Sequence, residues 1–287
     1  MVLGAGSLGT TEILLRSRSH GLPTSPLLGQ RLSGNGDLLA FAYNCDKDIN
    51  SIGREQSSPS SKPCGPTISA CLDLRMTDEA PNVRDGLLIQ EGAVPEALSP
   101  LIQTLLETRT CFTWPFGNSN IVKGVARIKS WLFGPYCTSG SVRRTAVYLS
   151  MSHDENEGTL EMKNGSTILR WSGTGAEQRN CRIQKILASA AASIGGTLID
   201  APCMTVHPLG GACMSNDGTG SGGVINHMGQ VYCGTGQEVH EGLLCMDASI
   251  IPTSLGKSYR IDACQVTDFF SRREPVCNDY SSCRTML

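Results

Sequence analysis

The first residue pattern with chemical use is a histidine at the head of a tight, glycine-paired turn: His207, Pro208, Leu209, Gly210 and Gly211. Imidazole exchanges protons near neutral pH, so His207 suits general acid–base work. Gly210 and Gly211 have no Cβ, so backbone there can lie close against a flat ligand. Further on, a short apolar strand over 243–246 runs into Asp247, Ala248 and Ser249. An Asp at a strand end, followed by small residues, can reach a ligand's hydroxyl or phosphate. Gly4, Gly6 and Gly9 spell G-x-G-x-x-G ahead of an expected helix, a pattern that suggests a pyrophosphate at a helix N-terminus. Only three residues precede it, and no acidic residue lies between Glu12 and Asp37 to bind a ribose. A complete, autonomous dinucleotide fold is therefore not expected. Three glycines and an Asn within 28–37 (Gly29, Gly34, Asn35 and Gly36) cannot be helix and need turns with positive φ. Glu91 sits at the mouth of an expected strand, 87–95, that ends in Gly and Pro.

Elements must carry these residues. Residues 38–43, 67–74, 87–95 and 145–151 read as strands, and 158–171 as a hairpin turning at Asn164-Gly165, the preferred type I′ pair. Helical periods run over 95–109, 121–132 and 175–194, the last stopped by Gly195-Gly196. The 121–132 helix carries Lys123, Arg127 and Lys129 between apolar residues. It fits a basic amphipathic helix near the entrance of a lipid substrate, but capping a core is the preferred expectation. The Ser-, Pro- and Gly-rich stretch 51–66 reads as a linker into a second domain.

Composition sets the bounds. The 287 residues allow one large or two modest domains, and a 40% hydrophobic content supplies a core. A net charge of −2 gives no electrostatic case for nucleic acid or an anionic membrane. No apolar run is long enough to span a bilayer, and no secretory leader is expected. The 13 cysteines fall at irregular spacings without C-x-x-C, so free thiols are expected rather than zinc. No G-x-S-x-G elbow supports a serine nucleophile.

The longest ordered pattern is H-P-L-G-G at 207–211, H-E-G-L at 240–243 and C-M-D-A-S-I-I-P-T-S-L-G at 245–256. It resembles the C-terminal part of the glucose-methanol-choline flavin oxidoreductases, in particular their cholesterol oxidase branch. The A-G-S-L-G-T-T-E run at 5–12 and the G-N-G at 34–36 are similar to segments lying near the flavin there. The resemblance implies FAD as cofactor. It implies a 3β-hydroxysterol or other bulky secondary alcohol as substrate, with oxygen or another acceptor closing the cycle. It gives His207 the positioning of the alcohol and the handling of its proton, and turns Glu91 toward the steroid. It places Gly6, Ser7, Asn35, Gly36, Gly210, Gly211, Asp247 and Ala248 against FAD, with His240 and Glu241 in support.

The implied fold is α/β (α+β): the C-terminal part of an FAD-binding Rossmann-like domain, at 1–50 and 201–256, and a substrate domain with a largely antiparallel sheet at 51–200. After Gly256 the resemblance stops. The branch continues V-N-P-F, whereas this chain has Ser258 at the position of the Asn and Tyr259 at that of the Pro. The expectation is a partial chain, binding FAD weakly or not at all alone, with a tail over 257–287 outside the fold. A reading of another class is a non-catalytic lipid-binding or interaction module built on the same fold.

Overall fold

The computed structural model describes residues 1–53, 67–75, 82–110, 121–171, 176–201 and 204–256. In chain order the elements are β1 (Val2–Leu3), α1 (Gly6–Ser19), β2 (Leu38–Tyr43), β3 (Ile52–Gly53), β4 (Cys71–Asp73), β5 (Leu87–Gly92), β6 (Val94–Pro95), α2 (Ser99–Thr110), α3 (Ile121–Phe133), β7 (Ala146–Ser152), β8 (Thr159–Lys163), β9 (Ser166–Arg170), α4 (Ala176–Ser193), β10 (Thr197–Asp200), β11 (Gln230–Tyr232) and β12 (Val239–Cys245). The chain is mixed α/β. The body of the expected 51–66 linker and the tail from Lys257 lie outside the described residues.

Strict alternation builds the larger sheet, whose strand order is β10-β2-β7-β5-β4 with every neighbour antiparallel. Along β2, Leu38, Ala40 and Ala42 join cores containing α4 residues such as Leu187 and Ala191. Leu39, Phe41 and Tyr43 face the other way, onto Ile102, Leu105 and Leu106 of α2. Side chains one residue apart point to opposite faces, so one apolar strand fills both layers. The expected strand over 67–74 is reduced to Cys71–Asp73 on the sheet's exposed edge. Asn164 and Gly165 take the left-handed φ of +52° and +75° that their hairpin turn demands.

The smaller sheet has the order β1-β12-β11, with β1 parallel to β12. α1 packs Leu14 and Leu15 into a core with Leu3, Leu32, Leu160, Val231 and Cys245. Because β1 and β12 run parallel, Leu3 and Cys245 end side by side, and the chain turns into α1 on one side and into Asp247–Ile250 on the other.

α3 contradicts its expected role. Its buried residues are the small Ala126 and Ser130, only 2% and 0% exposed, while Ile121, Val125, Ile128 and Leu132 point outward. Small side chains let the helix sit close: Gln103 of α2 donates to the Ser130 carbonyl at 2.7 Å. The helical period was legible, but the apolar stripe lies on the solvent side. No helix among the described residues is long and apolar enough to cross a membrane.

The cysteines among the described residues are free, with Cys71 and Cys181 exposed and Cys45, Cys213 and Cys245 buried. Burial, and then the nearby Asp247 charge, pushes the Cys245 thiol up to about 12. Thiolate is the reactive form. Iodoacetamide should therefore label Cys71 and Cys181 in the folded chain and reach Cys245 only on unfolding, as read by peptide mass spectrometry. Equal labelling of Cys245 and Cys71 in the native state would contradict this burial.

Candidate functional site

His207 reaches its place through sheet pairing. β10 runs antiparallel to β2, and its exit is still held by the Ala201 N–H on the Leu39 carbonyl at 3.1 Å. The chain beyond therefore passes the start of β2, where Asp37 stands. Leu209 exchanges two backbone hydrogen bonds of 2.9 Å with Ser33, which fixes the far side of the histidine. His207 Nδ1 lies 3.0 and 3.2 Å from the two Asp37 carboxylate oxygens. The Asp37 side chain is 0% exposed and that of His207 17%. The Val206 N–H and the Thr205 hydroxyl also donate to Asp37 Oδ2, at 2.9 and 3.1 Å. A buried carboxylate needs such donors to offset its lost hydration. A carboxylate only accepts, so Nδ1 donates to Asp37, and in a neutral ring that leaves Nε2 as the nitrogen able to accept a proton.

The G-N-G loop is locked from behind. Asn35 is buried with φ +55°, and its Oδ1 accepts from the Leu255 and Gly256 N–H groups at 2.9 and 3.0 Å. A Cβ on Gly36 would stand 2.3 Å from Ser152 Oγ. Asp154 accepts from Ser33 Oγ and the Gly34 N–H, both at 2.7 Å. The Asp154 N–H in turn donates to Ser254 Oγ at 3.0 Å, which ties the 252–256 segment to the same cluster. Asn35 and Gly36 thus hold the loop to β7 and to the end of the described chain.

A similar reading holds for the glycine pair. A Cβ on Gly210 would stand 2.2 Å from the Arg31 carbonyl oxygen, and one on Gly211 2.3 Å from Thr11 Oγ1. The expected close approach is real, but the surface approached is the chain itself. Ser7, also assigned to the cofactor, is buried and donates to the Gly210 carbonyl at 2.6 Å. The head of α1 is different. No atom lies within 4 Å of a Cβ built on Gly4 or Gly6, and Gly6 has φ +76°. Asp247 steadies this turn, accepting from the Gly6 N–H at 3.0 Å and from the Thr10 hydroxyl. Its other oxygen accepts from the Ser249 N–H at 2.8 Å, with half-buried Ala248 between them. Gly6, Asp247 and Ala248 are therefore brought together at the ends of two parallel strands, where open α/β sheets receive ligands.

Glu91 and His240 stand elsewhere. Glu91 pairs with Tyr148 on β7, which also pairs with Ala40 on β2. It therefore lies about 10 Å along the strands and two strands across from Asp37. Its carboxylate accepts from the Ser69 hydroxyl. His240 and Glu241 lie within β12, near the end remote from Asp247, and His240 Nε2 bonds the Pro23 carbonyl at 2.7 Å.

Sequence reasoning missed Asp37, which holds His207, and His153 and Asp154, which hold the 33–36 loop and the 254–256 segment. The available signal was a lone Asp directly before an apolar strand, and a Ser-His-Asp directly after one. His153 packs against Gly256, and its Nδ1 lies 3.4 Å from Ser254 Oγ. Burial lowers its basicity from the ordinary value of 6.5; Ser254 and Asp154 oppose the shift and Arg84 adds to it. The unfolded chain then binds the extra proton more readily, so folding stability falls as pH drops below about 6.5. His153→Gln should flatten the decline in urea-unfolding free energy between about pH 7 and about pH 5. An unchanged pH slope in that variant would contradict the assignment.

Among the described residues no group of His, Cys, Asp and Glu could hold a metal ion. No protein-family model matches the chain, and no curated protein matches it closely enough to count as a relative.

Proposed function

We propose that this chain works in FAD-dependent oxidation of an alcohol, in the manner of cholesterol oxidases, on a 3β-hydroxysterol or another bulky secondary alcohol. The observation that carries the reading is His207 Nδ1 held 3.0 Å from a fully buried carboxylate. His207 heads the H-P-L-G-G pattern, whose Gly210 N–H bonds the Ala248 carbonyl of the D-A-S-I-I-P pattern at 3.0 Å, and both patterns resemble that branch. The fit to FAD is supported by the open head of α1, where Gly4 and Gly6 leave room that a Cβ would fill. Gly6, Asp247 and Ala248 would hold the cofactor there, as the C-terminal part of a Rossmann-like domain.

Bound FAD would accept the carbinol hydrogen with its two electrons, oxygen or another acceptor later removing them. This chain's part is the remaining proton. His207 Nε2 takes it from the alcohol hydroxyl, so the substrate leaves as a ketone. Asp37 keeps the ring in the one tautomer that can do this and stabilises the imidazolium that results.

The apolar surroundings favour a bulky substrate. Met204 and Val206 are exposed beside His207. The Trp171 ring lies 3.5 Å from where a Cβ on Gly34 would stand. Glu91 has no part in the oxidation itself; a carbon-skeleton proton shift is the chemistry it would serve.

The test is anaerobic bleaching of FAD by sterols and by small alcohols. It is run on the chain with added FAD, and on the chain joined to the nucleotide-binding unit of a cholesterol oxidase. Bleaching by 3β-hydroxysterols is expected. Firm FAD binding in either form without bleaching by any alcohol would overturn the proposal and favour the lipid-binding module.

A further inference from the structure

α3 is a 13-residue helix whose apolar stripe has no protein partner among the described residues. Ile121, Val125, Ile128 and Leu132 recur at helical spacing directly opposite Ala126 and Ser130, and all four are exposed. Trp131 and Phe133 close the helix at 72% and 71% exposure. α2 lies antiparallel beside it: Arg127 donates to Thr110 Oγ1, Gln103 to the Ser130 carbonyl and the Tyr136 hydroxyl to the Glu96 carbonyl. That pairing brings the exposed Leu98 and Leu101 toward the end where Trp131 and Phe133 emerge. An apolar area of this extent on a protein surface marks an interaction site.

Charge and shape select the occupant. α3 has no acidic residue; of its cations Lys123 is paired with Asp46 at 3.0 Å and Arg127 turns to Thr110, so Lys129 is the one that lines the outer side. A groove of about 430 Å³ runs beside it, walled by Ile121, Val122 and Val125, with Lys129, Arg144 and Asp48 as its charged lining. Asp48 is paired with Arg143 at 2.9 Å, which leaves the groove with cationic excess. An apolar wall beside cations suits an acyl chain and an anionic headgroup. The helix spans about 20 Å, too short to cross a bilayer but suited to lie in its surface. The whole-chain charge of −2 hides this local sign.

We propose that α3 and its groove dock this protein on the surface of an anionic lipid bilayer, the apolar stripe sunk to the headgroup boundary. The groove shares no residue with the His207 cluster, and the proposal stands whether or not His207 acts on an alcohol.

The test is flotation of the full chain with phosphatidylcholine vesicles, with and without about 30% phosphatidylserine. Binding is expected to the anionic vesicles only and to weaken as salt rises. Tryptophan emission should shift to the blue on binding and lose that shift in Trp131→Phe. Ile128→Glu and Leu132→Glu, each at an exposed position, should keep the wild-type melting temperature and bind about tenfold more weakly or worse. Lys129→Glu should weaken binding in the same way. Three results would overturn the proposal: no flotation with anionic vesicles, equal affinity for neutral ones, or full binding by both glutamate variants of the stripe. Concentration-dependent dimerisation abolished by Ile128→Glu, without vesicle binding, would give the face to a second copy of the chain instead.

Discussion

Turnover is expected to fall by about a hundredfold or more when His207 is replaced by Ala in the flavin-loaded enzyme, the usual size for a proton-handling group. That corresponds to about 2.7 kcal/mol of lost transition-state stabilisation. The loss should appear in kcat and in kcat/KM together, because the proton moves only as the alcohol reacts. Asp37→Asn is the sharper companion. An amide at this position replaces one accepting oxygen with an NH2 that only donates. It can hold the ring in the wrong tautomer, or leave Thr205 or Val206 facing another donor. Its effect on kcat should again be on the order of a hundredfold or more, with flavin still bound. Near-full turnover with Ala at 207 would show that the imidazole serves only the turn.

The second large effect concerns folding. Gly210→Ala should destabilise the chain by about 2–5 kcal/mol, combining left-handed strain with overpacking. Gly210 has φ +82°, and the added Cβ would stand 2.2 Å from the Arg31 carbonyl oxygen. Little can relax there. The Gly210 N–H donates to the Ala248 carbonyl at 3.0 Å, and Ser7 Oγ donates to the Gly210 carbonyl at 2.6 Å. The measurement is the urea midpoint at unchanged slope. Gly6→Ala is the internal contrast. Its φ of +76° brings strain of about 1–2 kcal/mol, but the new Cβ meets nothing within 4 Å. Gly6→Ala should therefore be the milder in stability and the one that weakens FAD binding. Equal stability losses in the two variants would mean that the contacts around Gly210 do not matter.

What the sequence made legible was local. Asn164-Gly165 announced its hairpin because the turn is decided by two adjacent residues. The glycine pair at 210 and 211 announced a close approach, but not to what, because Arg31 and Thr11 lie far back along the chain. Asp37 was invisible for the same reason: its partner His207 is 170 residues away, and nothing near either residue marks the pair. On α3 the period was readable and the face was not. Ala126 and Ser130 bury because they are small enough for close helix packing, whereas hydrophobicity would choose Ile128 and Leu132. Both sheets depend on pairings between distant segments, β1 with β12 above all, so strand β10 and the parallel pair at the α1 head could not be anticipated from local pattern.

The proposed chemistry turns on one proton, the one between His207 and Asp37. Nitrogen-15 NMR of the imidazole ring in the folded chain, under conditions where it is neutral, reads that proton directly. The expected spectrum has the proton on Nδ1 and a bare Nε2, reverting toward the ordinary solution mixture in Asp37→Ala. A proton on Nε2 would leave no base facing the alcohol and would contradict the function proposed for this site.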